Sequence, residues 1–122
     1  METSNELSAI AATVNDFFVG MHTGDVDRLR SAFHPDAYLF GYYQGSFSRI
    51  SLEEWMEEVR GEPKPSESGE QFDMRIVAVD VTGKVATVKT ATLYLGLHFT
   101  DYLTLIQFDD HWKIVNKAYH HD

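Results

Sequence analysis

Residues 72–120 read FDMRIVAVDVTGKVATVKTATLYLGLHFTDYLTLIQFDDHWKIVNKAYH and set the architecture of the whole chain. β-Branched and aromatic residues, which favour strands, recur throughout this segment. Turn-forming residues interrupt it at Thr82-Gly83-Lys84 and at Asp109-Asp110-His111. The pattern predicts a meander of antiparallel strands over residues 72–81, 85–97, 99–108 and 112–120.

The first half of the chain is predicted to be helical. Apolar residues recur there at the spacing of one buried helix face, namely Leu7, Ile10, Ala11, Val14, Phe17, Phe18 and Met21. Asp25 is suited to cap a short second helix, and Ser51 with Glu54 forms a capping box for a third. Residues 36–50 between these helices have β character. We therefore expect an α+β fold, with three N-terminal helices packed in the concave face of a strongly curved antiparallel sheet.

The composition limits the classes of function. A length of 122 residues fits one domain, residues 1–122. The 10 basic and 19 acidic residues give a net charge of −9, which disfavours binding to nucleic acids and to anionic membranes. With no cysteine, disulfides and thiolate chemistry are excluded. Without a long apolar run or a signal peptide, a soluble cytoplasmic protein is expected.

The last strand carries two unusual polar residues. Its even positions from Trp112 to His120 are expected to face the helices, because side chains alternate along a strand. Asn116 and His120 would then interrupt an apolar row that includes Ile114 and Ala118. Because an unpaired buried polar group costs about 1–3 kcal/mol, these two side chains need an internal network, water or a ligand.

Both faces of the meander contain apolar side chains. No second helical layer in the sequence covers the outer face, so a second copy of the chain is the simplest cover. We therefore predict a homodimer through the sheet, with Val79, Leu103 and Val115 near the middle of its interface.

Three segments carry a resemblance to a known family. They are Phe33-His34-Pro35-Asp36-Ala37, in which the short helix is predicted to end, Phe99-Thr100-Asp101-Tyr102-Leu103, and Trp112-Lys113-Ile114-Val115-Asn116-Lys117. With the order of elements, they resemble the nuclear-transport-factor-2-like (NTF2-like) superfamily of ketosteroid isomerases, scytalone dehydratase and SnoaL-like polyketide cyclases. The C-terminal half is most similar to its putative lumazine-binding branch. The resemblance implies a cone-shaped α+β barrel, a homodimer and a deep, largely apolar pocket in the mouth of the cone.

The candidate catalytic residues are His34, Asp36 and His120. Histidine titrates near neutral pH, and the pKa of a carboxyl group in a pocket can be raised towards that range. The alternative is that His34 and Asp36 only shape the turn around Pro35.

The candidate ligand-binding residues combine aromatic rings with polar groups. They are Tyr38, Tyr42, Trp55, Tyr102 and Asn116. The rings are suited to stack on a flat molecule, and the three phenols are suited to donate to an oxyanion. The alternative is ordinary packing of the core and the dimer.

No metal site or cofactor is predicted. His120 and His121 are adjacent on a strand, so their rings point to opposite faces and cannot chelate one ion together.

Two functions remain open, besides a pure dimerisation scaffold. The first is a small-molecule-binding domain with an apolar, aromatic pocket of unknown ligand. The alternative is a cofactor-free proton-transfer enzyme of the isomerase, dehydratase or cyclase type that acts on a small cyclic substrate. A carboxylate and a histidine in the pocket, each with a strongly shifted pKa and both reaching one reacting atom, would favour the enzyme, whereas amide and phenol groups alone would favour binding.

Overall fold

The computed structural model describes residues 2–122, and the side chains of residues 5–122. The helices are α1 (Glu2–Thr23), α2 (Val26–Ser31) and α3 (Leu52–Gly61), and the strands are β1 (Phe33–Tyr43), β2 (Ser46–Ser51), β3 (Met74–Thr82), β4 (Val85–Tyr94), β5 (Leu97–Phe108) and β6 (His111–His121). The strands form one sheet in the order β2-β1-β6-β5-β4-β3. The predicted fold class is confirmed, and the sheet is mixed because β1 runs parallel to β6.

The helices cover the concave face of the sheet. The buried face of α1 includes Ile10, Val14 and Phe17, which are fully shielded from solvent. The predicted caps are present: the Asp25 carboxylate accepts from the Arg28 N–H, and Ser51 forms the capping box of α3. Within the described residues, no helix is long and apolar enough to cross a membrane.

A β-bulge at Val115 determines which side of β6 faces the helices. Leu105 pairs with Ile114, but Thr104 pairs with Asn116, so Val115 is an extra residue in the strand. Trp112 and Ile114 are buried as predicted, but beyond the bulge the odd positions turn inward. Lys117 is buried, whereas Ala118 and His120 are exposed and Asn116 lies on the outer face. The predicted inward facing of Asn116, Ala118 and His120 is therefore wrong.

The strand β5 also presents its odd positions to the helices. Asp101, Leu103 and Leu105 are all fully buried in the single chain. Leu103 thus belongs to the core, and its predicted place in the middle of a dimer interface is wrong. Val79 is partly buried and also packs against the core.

Candidate functional site

A cavity of about 420 Å³ lies between α3 and the concave face of the sheet. Its walls are mainly apolar and aromatic, and include Leu39, Tyr43, Trp55, Val59, Tyr94, Leu97, Phe99 and Tyr119. Its polar lining consists of Ser46, Ser48, Glu58, Glu62, Thr92 and Lys117. A cavity of this size and character suits a small molecule with an apolar body.

The amino group of Lys117 is surrounded by aromatic rings. The residue is only 6% exposed. Its Nζ lies 4.4 Å from the ring centre of Trp55, 5.1 Å from that of Tyr119 and 5.4 Å from that of Phe17. The electron-rich ring faces attract an ammonium group, which compensates in part for its lost hydration.

Asp101 is the counter-ion of Lys117. Its Oδ1 lies 3.9 Å from Nζ, and the carboxylate is fully buried. Its Oδ2 accepts hydrogen bonds from the hydroxyl groups of Thr90 at 3.0 Å and Thr92 at 2.8 Å. Oδ1 has no hydrogen-bond partner in the part of the chain that the structure describes. The pair is therefore held by charge, because 3.9 Å is longer than a hydrogen bond.

The register of the strands brings these groups together. Thr90 pairs directly with Asp101 across β4 and β5, and Asp101 pairs with Tyr119 on β6. Lys117 is two residues before Tyr119 and therefore lies diagonally across from Asp101 on the same face. The bulge at Val115 directs the side chain of Lys117 to the inner face of the sheet.

The environment changes the protonation equilibrium of three cavity residues, one of which is Glu58, whose pKa is raised by burial. Burial lowers the pKa of Lys117, and the Asp101 carboxylate only partly opposes this effect. Burial, reinforced by Glu62 and Glu70, raises the pKa of Tyr94 to about 12. The phenol of Tyr94 is therefore protonated at neutral pH and can donate a hydrogen bond, while Lys117 has more of the neutral amine than an exposed lysine has.

A turn that the sequence analysis missed shapes one wall of the cavity. Leu95 and Gly96 connect β4 to β5, and both have positive φ angles, 51° and 83°. The Glu70 carboxylate accepts hydrogen bonds from the backbone N–H groups of Leu95 at 3.0 Å and Gly96 at 2.7 Å. Glu70 thereby fixes the turn that carries the cavity residues Tyr94, Leu95 and Leu97.

Of the predicted ligand-binding residues, only Trp55 lines the cavity. By strand alternation, Tyr38, Tyr42, Tyr102 and Asn116 lie on the outer face of the sheet. Tyr102 is 52% exposed and Tyr42 is 55% exposed. The tyrosines that line the cavity are instead Tyr43, Tyr94 and Tyr119.

None of the three predicted catalytic residues lies in the cavity. The Nδ1 of His34 accepts a hydrogen bond from the Asp36 backbone N–H at 3.1 Å, and its ring packs 5.0 Å from that of Phe108. His120 is exposed and pairs with Thr100 on the outer face. The contacts of His34 and Asp36 fit the alternative of local turn structure.

Sequence analysis missed Lys117 and Asp101. Strict alternation from Trp112 places Lys117 on the outer face, and the adjacent apolar residues Ile114 and Val115 were the available signal of a bulge. Within the described residues, no group of three or more His, Asp or Glu side chains is arranged to hold a metal ion.

Comparisons with known proteins identify the family. The family model described as "Putative lumazine-binding" matches residues 5–120. The aldolase FrzH from Cladobotryum sp. is 28% identical over 120 residues, which cover 97% of this chain and 93% of that protein.

Two solved structures share the fold along almost the whole chain. An NTF2-like protein of unknown function from Silicibacter pomeroyi DSS-3 matches with a TM-score of 0.85 and 25% identity, covering 100% of both chains. A second, from Shewanella baltica OS155, matches with a TM-score of 0.87 and 23% identity, covering 98% of this chain and 95% of that one. The chain therefore belongs to the putative lumazine-binding family, within the NTF2-like superfamily.

Proposed function

We propose that this protein is a cofactor-free enzyme that transfers a proton at the carbon next to the carbonyl group of a small aldehyde or ketone. The observation that carries the proposal is the buried residue Lys117, which lines an aromatic cavity and has a buried carboxylate as the counter-ion of its amino group. Ionisable groups shifted by burial inside a cavity favour catalysis over passive binding. The fold alone supports many activities, so the proposal depends on this pair.

The name of one relative supports the same chemistry. FrzH is named an aldolase. An aldol reaction requires loss of a proton next to a carbonyl group before a new carbon–carbon bond forms. The cavity of this chain offers an amine to accept such a proton.

The residues have separate roles in the proposed step. The neutral amine of Lys117 removes the proton, and the electron pair of the C–H bond becomes the double bond of an enolate. The Tyr94 phenol lines the same cavity and is available to donate a hydrogen bond to the enolate oxygen. Asp101 does not line the cavity; it positions Lys117 and stabilises the ammonium group after proton transfer.

Charge narrows the substrate class. Glu58 and Glu62 line the cavity and are themselves exposed, so they place negative charge near its opening. The chain also has a net charge of −9. Neutral or cationic carbonyl compounds are therefore favoured over anionic ones, and the aromatic walls favour a flat apolar body.

The first prediction is catalysed hydrogen exchange in a flat neutral ketone. We expect the protein to accelerate deuterium incorporation next to the carbonyl group of 2-tetralone in D₂O, followed by proton NMR. Lys117→Met should lower this rate by about 10²–10⁴. Lys89→Met is the matched control, because Lys89 also lies beside a tyrosine ring, 5.5 Å from that of Tyr102, but on the outer face.

Binding without turnover is the second candidate function, and the aromatic walls favour it. Saturation-transfer signals from 2-tetralone without accelerated exchange would support that function and contradict the enzyme. Circular dichroism of both variants separates loss of the amine from loss of the fold.

We also propose that the protein forms a homodimer through the outer face of the sheet. Large side chains are exposed on this face, including Tyr42 at 55%, Phe47 at 61% and Tyr102 at 52%. An exposed aromatic patch of this kind is typical of an interface. Leu103, which was predicted to lie in the middle of the dimer interface, is not part of the proposed interface because it belongs to the core.

The second prediction is that Tyr102→Glu converts the dimer to a monomer. A buried charge without a partner at the interface opposes association. Sedimentation velocity at micromolar concentration should show a dimer for the parent and a monomer for this variant. Leu7→Glu, at a residue of α1 that is 42% exposed, should leave the dimer intact. A monomeric parent protein would contradict the proposal.

A further inference from the structure

We infer that the Nζ of Lys117 forms a Schiff base with the carbonyl carbon of an aldehyde or ketone bound in the cavity. The inference rests on the proposed function, since it assigns a covalent intermediate to the same site. It differs in one step, because a lysine nitrogen that is bonded to the substrate cannot also remove the proton: in this route the C–H proton next to the former carbonyl carbon passes to water.

Position distinguishes Lys117 from the other lysines. The chain contains five lysines, Lys64, Lys84, Lys89, Lys113 and Lys117. Among those lysines, which the structure describes in full, only Lys117 lines the cavity. Lys64 and Lys84 are exposed, and the Nζ of Lys113 donates to the Ser31 carbonyl oxygen at 2.6 Å.

The surroundings of Lys117 favour a nucleophilic amine. Attack on a carbonyl carbon requires the neutral form, and a desolvated lysine has more of it. The aromatic rings of Trp55, Tyr119 and Phe17 exclude water from one side of Nζ. Because Asp101 lies 3.9 Å away, no hydrogen bond to this carboxylate fixes the amine, and its lone pair can turn towards the cavity.

The reaction balances without a cofactor. The nitrogen lone pair attacks the carbonyl carbon, the π electrons move to oxygen, and one N–H proton passes to that oxygen to give a carbinolamine. A second proton, taken from solvent, lets the hydroxyl group leave as water, and the nitrogen lone pair forms the C=N⁺ bond. The product is an iminium ion that keeps one N–H. Addition of water reverses these steps.

Asp101 has a positioning role in this reaction. The iminium ion carries the positive charge at the place where the ammonium group stood, so the same buried carboxylate neutralises both species. The hydroxyl groups of Thr90 and Thr92 hold the carboxylate by its other oxygen. The positive nitrogen then withdraws electrons and acidifies the C–H bonds next to the former carbonyl carbon.

The third prediction is selective reductive trapping. The purified protein is incubated with 2-tetralone and sodium cyanoborohydride, and the adduct is located by intact mass and peptide mapping. We expect the adduct to form on Lys117 faster than on the other lysines, because burial lowers the pKa of Lys117 and so raises its fraction of neutral amine. Lys117→Arg keeps a cationic side chain and should lose the adduct, whereas Lys89→Met should keep it.

The outcomes separate this inference from the proposed function. Catalysed deuterium exchange with no adduct on Lys117 would overturn the Schiff base and leave the proton-transfer enzyme standing. An adduct on Lys117 without exchange would support the Schiff base and contradict the enzyme. Labelling spread evenly over all lysines of the folded parent protein would overturn the inference, and it needs no variant that might fail to fold.

Discussion

Replacing Asp101 with leucine is expected to lower the free energy of unfolding by about 3–5 kcal/mol, because a buried ion pair then loses one partner. The side chain of Lys117 is 8% exposed and that of Asp101 is not exposed at all. The hydroxyl groups of Thr90 and Thr92 also lose the acceptor that they share. Urea unfolding of parent and variant, with linear extrapolation to water, measures the difference.

Asp101→Asn is the matched control for charge. The amide oxygen still accepts from Thr90 and Thr92, so only the counter-ion of Lys117 is removed. We expect a smaller loss of stability than for Asp101→Leu. Equal stability of the parent and both variants would contradict a charged, buried pair.

The stability that Asp101→Asn loses relative to the parent should depend on pH in a defined direction. The folded state lowers the pKa of Lys117 from its ordinary value of 10.5, so the unfolded chain binds the proton more tightly. The contribution of Lys117 to stability is therefore full above pH 10.5 and is lost as the pH falls through the folded pKa. Without the carboxylate that pKa falls further, so the deficit of Asp101→Asn should narrow as the pH rises from the folded pKa of Lys117 in the variant to that in the parent, both of which lie below 10.5.

Other ionisable groups around Lys117 affect this comparison little. They are Tyr119 on β6, Tyr94 on β4, Tyr43 on β1, Glu58 in α3 and Glu62 at the end of α3. They are present in both proteins, so their contributions to stability largely cancel in the difference. A deficit that nowhere narrows with rising pH below pH 10.5 would contradict the assigned role of Lys117.

Local sequence signals predicted the elements of this fold well. The capping box of Ser51 and Glu54 marks the start of α3, and Asp25 marks that of α2. These capping contacts join residues three or four positions apart, so they can be predicted from the sequence without knowledge of the tertiary structure. The Leu95-Gly96 turn was missed because its stabilising partner, Glu70, lies 25 residues away in sequence.

Local sequence signals could not predict which side chains of β6 face the helices. β6 pairs with β5 on one side and with β1 on the other, and the bulge at Val115 adjusts its register to both. One extra residue moves every later side chain to the opposite face. The sequence analysis therefore selected Asn116 and His120, and placed Lys117 outside, where lysines usually lie. Trp55 lines the cavity because it belongs to the regular apolar stripe of α3, although its predicted binding of a ligand stays a prediction.

Gly41→Ala is expected to destabilise the protein and to displace Tyr119 from the site. A Cβ atom at Gly41 would lie 2.5 Å from the Tyr119 carbonyl oxygen and 2.7 Å from two carbons of its ring. Because the backbone cannot move as freely as the end of a side chain, we expect the free energy of unfolding, measured with urea, to fall by about 1–3 kcal/mol or more. Tyr119 also contacts Lys117, so selective trapping on Lys117 should fall as well.

Gly61→Ala separates this close packing from a general effect of glycine replacement. No atom lies within 4 Å of a Cβ at Gly61, so the free energy of unfolding of this variant should differ from that of the parent by less than about 0.5 kcal/mol. Since β1 and β6 run parallel at this point, the ring of Tyr119 covers the bare backbone of Gly41 and fills the space that a side chain would take. Gly41→Ala could instead unfold at the same urea concentration as the parent and keep the same rate of adduct formation on Lys117. In that case the position of the Tyr119 ring does not depend on Gly41, and the cavity wall next to Lys117 is packed less tightly than its geometry implies.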